Sequence, residues 1–286
     1  MRMKIILAIA CVLLLLAAAA CAGAAGSTSG KGRERVAAAF YPLAYAAQTL
    51  GGNRVDVENL TPPGAEPHDL EVSPSDVQQI RSAGLVLLLG EGFQPQLEAA
   101  AGSGSKVLRL LDTPRLGRFP DGDPHVWLDP LRYALIVRRI GAALHRGRAA
   151  QSLVRRLRAL DRRYRLGLAH CARRDIVTSH EAFAYLGQRY GLRQVAITGL
   201  TPEAEPAPRD LQRVADLVRR THTTTVFFET LVSPRIADTV ARETGARTAV
   251  LDPMEGLTRS EARRGEDYFS LMRANLGALR NALGCR

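Results

Sequence analysis

Residues 131–171 read LRYALIVRRIGAALHRGRAAQSLVRRLRALDRRYRLGLAHC, and this stretch decides the fold. Leu, Ile, Val and Tyr recur at helical spacing, Arg fills the opposite face, and beyond Gly147 scarcely a turn signal interrupts them. The spacing predicts two helices, over 131–144 and 149–171, with no strand between them. On the N-terminal side the pattern changes: apolar runs at 35–40, 55–60, 85–89 and 106–110 read as strands, and Ser73-Pro74-Ser75-Asp76 opens a helix between two of them. On the C-terminal side strands at 175–178, 194–198, 225–228 and 249–251 alternate with helices at 181–190, 208–220 and 234–244. A terminal helix then runs to Leu283. Strand and helix in alternation form parallel sheets. The expected architecture is therefore α/β with two parallel-sheet lobes, an N-terminal lobe over 35–132 and a C-terminal lobe over 172–286, joined by connecting helices over 133–171. Such a pair encloses a cleft, and ligands bind in it beyond the carboxyl ends of the strands.

Residues 1–20 are expected to be an export signal. Met1 to Lys4 is basic, Ile5 to Ala20 is an apolar run, and small residues lead into Cys21. A Cys after three alanines reads as a lipobox, with Cys21 diacylated and the protein anchored to the outer face of the cell membrane. Leu usually stands where Ala18 is found, so cleavage after Ala22 or Ala25 without a lipid is the alternative. Residues 21–34, small and Gly-rich, suit a flexible tether.

Some 250 residues remain, enough for one large domain or two lobes. The net charge of +11 rests on Arg in amphipathic helices such as 153–165, a solvated face in an Arg-rich, Lys-poor chain. No basic and aromatic interleaving appears, so nucleic acid is excluded as a partner. Of four cysteines, Cys11 lies in the leader and Cys21 is the lipid site. Cys171 and Cys285 remain in an oxidising compartment, where an even pair favours a disulfide; two unpaired thiols are the alternative.

Three histidines fall at strand ends or in loops. His68 follows the second strand, His125 precedes the connecting helices, and His180 ends the strand over 175–178. Asp252 closes the last strand of the second lobe. Two come from each lobe, and imidazoles converging with a carboxylate make a transition-metal site, zinc being the commonest fit. Singly each is weak evidence; His145, His170 and His222 lie in or beside Arg-rich helices as surface residues. Glu229, at the end of the strand over 225–228, is placed to accept a hydrogen bond from a ligating imidazole. A surface or inter-lobe salt bridge is its other reading. Glu203 and Glu205, in a Pro-rich loop, are weaker candidates.

The strings GAEPHDLEVSPSD (64–76), PHVWLDP (124–130), IVTSHEAFAYLGQRYGL (176–192), GLTPEAEPAPRDL (199–211), FFETLVSPRIADTVARETGA (227–246) and VLDP (250–253) resemble the cluster A-I metal-binding lipoproteins. These are the solute-binding subunits of zinc and manganese ABC importers, and the resemblance spans residues 36–283. It implies two α/β lobes bridged by one long backbone helix that limits hinge motion, with metal ligands His68, His125, His180 and Asp252. Members preferring manganese tend to have Glu at the position of His180. His there implies Zn²⁺, with Mn²⁺ second, and the chemistry agrees, because three imidazoles and a carboxylate suit a tetrahedral, borderline-soft ion. Many zinc members carry a His-rich loop between the first two ligands, whereas Leu111 to Pro124 contains no His.

The expected function is zinc capture outside the cytoplasm and delivery to separate permease and ATPase subunits, by a monomer held at the membrane through its lipid. Alternatives are a manganese or iron homologue, or a metal-binding adhesin on the same scaffold. A zinc hydrolase would need an open coordination position, and no HExxH or GxSxG motif appears. A phosphate loop at Gly26 to Lys31 fails on glycine spacing.

Overall fold

The computed structural model describes residues 32–286 except 105, 118, 120 and 121. The export signal and Cys21 lie outside the described residues. The first four strands are β1 (Glu34–Ala38), β2 (Val55–Asn59), β3 (Leu85–Leu88) and β4 (Val107–Arg109), and they form one parallel sheet in the order β2-β1-β3-β4. Helix α1 (Tyr41–Gly51) connects β1 to β2, α2 (Pro74–Ser82) lies between β2 and β3, and α3 (Pro95–Ala101) between β3 and β4. The short α3 was not expected. β3 is buried along its whole length, as a strand covered on both faces must be. α2 starts where Ser73 predicted, with a reciprocal Ser73–Asp76 capping box and Pro74 in the first turn.

Two helices then connect the sheets, α4 (Pro130–Ala143) and α5 (Gly147–Gly167). Asp129 caps α4, its carboxylate accepting from the backbone N–H groups of Leu131 and Arg132. α4 and α5 pack closely at Gly141, where an added Cβ would sit 2.6 Å from that of Ala150. Only glycine fits that crossing.

The second sheet repeats the first. β5 (Asp175–Thr178), β6 (Arg193–Ala196), β7 (Thr225–Phe228) and β8 (Arg247–Val250) are all parallel, in the order β6-β5-β7-β8. Their helices are α6 (Ala184–Tyr190), α7 (Pro208–Thr221) and α8 (Arg235–Thr244). The terminal helical region is divided into α9 (Arg259–Arg264) and α10 (Tyr268–Leu283). In this order the chain reverses direction across the sheet between β1 and β3, and again between β5 and β7, which opens a crevice at the carboxyl ends of those strands.

One hydrophobic cluster runs through both lobes, from Val36, Phe40 and Leu87 through Trp127, Tyr133 and Tyr164 to Phe183, Phe227, Tyr268 and Met272. Its buried hydroxyls are paired. Tyr133 donates to Pro42 O at 2.6 Å, Tyr164 to Met272 O at 2.6 Å, and Tyr268 to Trp127 O at 2.7 Å. A smaller cluster, including Val177, Val214, Val218 and Val226, packs β5 and β7 against α7 and α8. Cys171 and Cys285 form a disulfide 114 residues apart in sequence, fixing the end of α10 to the entry of the second sheet. No helix among the described residues is long and apolar enough to cross a membrane.

Candidate metal centre

His68 stands in the loop after β2. Glu66 shapes that loop: its Oε2 accepts from the backbone N–H of His68 at 2.9 Å and of Asp69 at 3.2 Å. The His68 ring packs edge-on against Phe93, with centroids 4.7 Å apart. His125 precedes a short 3-10 turn, Val126–Leu128. One oxygen of Asp123 accepts from both its backbone N–H (2.9 Å) and its ring Nδ1 (2.7 Å). His180 follows β5, and its carbonyl is tied down by Thr178 Oγ1 and Gln194 Nε2. Residues 181–183 separate it from α6, which begins three residues later than expected.

The second-lobe partner of His180 comes from β7. Glu229 Oε1 lies 2.7 Å from His180 Nδ1 and also accepts from Ser179 Oγ at 2.7 Å. With Nδ1 of His125 and of His180 facing carboxylates, their Nε2 atoms point inward. The fourth donor there is Glu255. Its Oε1 lies 2.7 Å from His125 Nε2, 3.2 Å from His68 Nε2 and 3.6 Å from His180 Nε2. The four donor atoms all lie within 4.8 Å of one another. His180 Nε2 is buried without a hydrogen-bond partner, and the side chain of His68, 12% exposed, is the only one of the four with appreciable access to water.

The structure thus brings together His68, His125 and His180, but with Glu255 in place of Asp252. The reason is local. β8 ends at Val250, and the Asp252 carboxylate is already engaged, accepting from Met254 N at 2.6 Å and Thr230 Oγ1 at 3.5 Å. Met254 has a positive φ of 56°, which turns the chain and carries the next carboxylate into the cleft. Sequence reasoning missed Glu255, and also Asp123 and Ser179. Asp123-Pro124-His125 held a usable signal, a carboxylate two residues before a histidine across a rigid proline. Glu203 and Glu205 lie apart, lining a second-lobe cavity of about 550 Å³ with Ser179 and Arg235.

The electrostatics follow from these contacts. Burial opposes charge on His180, but the hydrogen bond to Glu229 and the nearby Glu255 carboxylate prevail and raise its pKa to about 10. His125 is raised in the same way, against its burial, by Asp123 and Glu255. Burial would lift Glu255, yet hydrogen bonds to His125 and His68 and the close His180 ring hold it well below the carboxylate range. Burial and then the charge of Glu255 push Glu66 up to about 8. Asp252 rises to about 7, first by burial, against the pull of the Met254 N–H.

Two repeated parallel-sheet lobes with three imidazoles and a carboxylate between them define a two-lobed α/β protein with a transition-metal donor set. The chain belongs to the ZnuA family, the periplasmic component A of a zinc-uptake complex, whose model matches residues 36–282. It is 31% identical to the high-affinity zinc uptake system protein ZnuA of Bacillus subtilis (strain 168), covering 87% of each chain. It is 30% identical to the zinc-binding protein AdcA of Streptococcus pyogenes serotype M18 over 87% of this chain, and spans only 56% of that longer protein. Among solved structures, the Zn(II)-bound ZnuA-like domain of Streptococcus pneumoniae AdcA superposes with a TM-score of 0.76 at 32% identity, covering 88% of this chain and 99% of the domain. The laminin-binding protein Lmb of Streptococcus agalactiae, described as bifunctional with adhesin and metal transporting activity, gives 0.79 at 30% identity, covering 88% of this chain and 100% of Lmb.

Proposed function

We propose that the chain is the solute-binding subunit of a zinc ABC importer, and that it holds one Zn²⁺ as cargo through Nε2 of His68, His125 and His180 and a carboxylate oxygen of Glu255. One observation carries this reading: three ring nitrogens and one oxygen face a common point. Zinc–ligand bonds of roughly 2.0–2.1 Å imply edges of about 3.3–3.4 Å between ligands in a tetrahedron. The contacts of 2.7, 3.2 and 3.6 Å from Glu255 to the imidazoles bracket that edge. Asp123 and Glu229, on the outer nitrogens, fix the tautomer that leaves Nε2 free for the ion and raise its basicity. Four protein donors close the shell, so no position is left for a catalytic water, which argues for carriage over hydrolysis.

Three imidazoles favour zinc over manganese, which prefers more oxygen donors. The relatives named for zinc binding and zinc uptake support the same choice. Delivery would require a permease and an ATPase. Anchoring through Cys21 is supported by the leader sequence and by the name of the related zinc-binding lipoprotein AdcA of Streptococcus pneumoniae, 32% identical over 87% of this chain and 56% of AdcA. The test is metal analysis of purified residues 32–286 after dialysis, with zinc titrated against a chelator of known affinity. One equivalent of zinc is expected, and its loss when His68, His125 and His180 are all replaced by Ala. Stoichiometric metal in that triple variant would sink the assignment.

A further inference from the structure

The turn that presents Glu255 is held in an unfavourable backbone conformation by a residue outside the donor group. Met254 has φ +56° and is fully buried. A residue with a Cβ enters the left-handed region at a cost, and such strain persists only where the surroundings impose it. Three tethers impose it here. Asp252 Oδ1 accepts the Met254 N–H at 2.6 Å, closing a side-chain turn over Pro253. Asn275 on α10 grips the backbone of Asp252 from both sides, accepting its N–H at 2.9 Å and donating to its carbonyl at 2.7 Å. Trp127 Nε1, from the segment that carries His125, donates to Pro253 O at 2.7 Å.

We propose that Asp252 is a positioning residue for zinc binding: its carboxylate clamps Met254 in the left-handed conformation and so aims Glu255 at the three imidazoles. The proposal rests on the zinc reading above and deepens it. Asn275 fixes where the turn begins, and Trp127 holds the carbonyl end of the Pro253–Met254 peptide. Within the same short turn, the N–H end of that peptide is held by the Asp252 carboxylate. Released from it, Met254 would relax to negative φ, and the Cα–Cβ bond of Glu255 would swing away from the site. The clamp needs an acceptor oxygen at this position and does not need its charge.

Four variants test this by zinc competition titration, with metal content and metal-free thermal melting measured alongside. Asp252→Asn keeps the acceptor oxygen and should bind zinc within about threefold of the parent, whereas Asp252→Ala should lose roughly 10- to 100-fold, the range for residues that orient metal ligands. Asp252→Ala combined with Met254→Gly should regain most of that loss, because glycine adopts positive φ without a clamp. In a Glu255→Ala background, Asp252→Ala should have no further effect on affinity. A general packing defect would not be rescued by glycine, and a ligand role for Asp252 would make its loss additive with that of Glu255. Loss of affinity in Asp252→Asn equal to that in Asp252→Ala overturns the proposal, as does a double variant with Met254→Gly that fails to fold or to recover. If the parent itself takes up no stoichiometric zinc, the zinc reading fails first and the proposal with it.

Discussion

The two lobes share one strand order but brace their imidazoles over very different distances along the chain. In the first lobe Asp123 braces His125 from two residues away, one oxygen serving both backbone and ring. In the second lobe the brace of His180 is Glu229, 49 residues on, at the end of the neighbouring strand, with Ser179 sharing its oxygen. The first arrangement survives wherever its loop survives. The second exists only while β5 and β7 are paired. The lesson is that one lobe builds its part of the site from local chain and the other from its sheet, so damage to tertiary structure should reach His180 before His125.

The largest expected effect tests whether the second lobe depends on its sheet. Replacing Cys171 and Cys285 by Ala opens a 114-residue link, and the chain-entropy model predicts a loss of about 4–5 kcal/mol of unfolding free energy. Denaturant unfolding of oxidised and double-Ala protein would measure it, with zinc affinity in the folded state little changed. Next come the ligands. Ala at His125, His180 or Glu255 should each weaken zinc by about 100-fold or more, beyond the upper range of outer-shell effects, and equal losses at His125 and His180 would show that the lobes contribute alike.

The braces themselves should separate the lobes. Asp123→Ala and Glu229→Ala should each cost about 10- to 100-fold in zinc affinity. Both should also lower metal-free stability by about 1–3 kcal/mol, since each strands a donor, the buried His125 N–H in one case and the half-buried Ser179 hydroxyl in the other. Only Glu229→Ala should in addition speed amide hydrogen exchange in β5 and β7, because its brace joins those two strands. Matching exchange in the two variants would erase the distinction.

Acidity gives a smaller, graded effect. Unperturbed imidazoles of pKa about 6.5 would confine acid weakening to pH below about 6.5. The carboxylates raise His180 to about 10 and raise His125, so a proton occupies His180 at neutral pH and zinc must displace it. Apparent affinity should therefore climb by about tenfold per pH unit through the neutral range, with protons released on binding, and fall as pH drops. Competition titrations in buffers of different ionisation enthalpy would show both; a flat profile from pH 6 to 9 contradicts it. The smallest signal is optical. Trp127, whose ring centroid is 5.2 Å from that of His125 and whose Nε1 bonds across to Pro253, should change its emission on zinc addition and saturate at one equivalent. The change should fade in Glu255→Ala.

Much of this was legible in the sequence because it was local. The alternation of apolar runs and helices placed the eight strands of the described residues, and Ser73-Pro74 marked a helix start that the structure keeps. Histidines stood out by their place at strand ends. What escaped was set by backbone conformation and tertiary pairing. Asp252 and Glu255 lie in one short loop, and residue type does not say which carboxylate enters the cleft; the positive φ of Met254 does. Asp252 drew the ligand assignment through its place near a strand end. Glu229 was suspected because it, too, ends a strand, while Ser179 as its second donor could be seen only once β5 and β7 lay side by side. The brief helix α3 was missed because its seven residues carry one large apolar side chain, Leu97, which sets no period.

The hydrophobic cluster that runs unbroken from Val36 to Met272 has a bearing on time as well as on shape. Lobes that share a core cannot swing apart without exposing Trp127, Tyr133 and Tyr268 to water, so wide opening would be as rare as partial unfolding. His68 stands outside that constraint, on a loop and with its ring partly exposed. We expect the dwell time of a bound ion to follow the opening of that loop, a motion of nanoseconds to microseconds, lengthened by the need to break a metal–imidazole bond. If a permease receives the ion, as proposed, it would need only to pry at that loop and could leave the rest of the chain undisturbed.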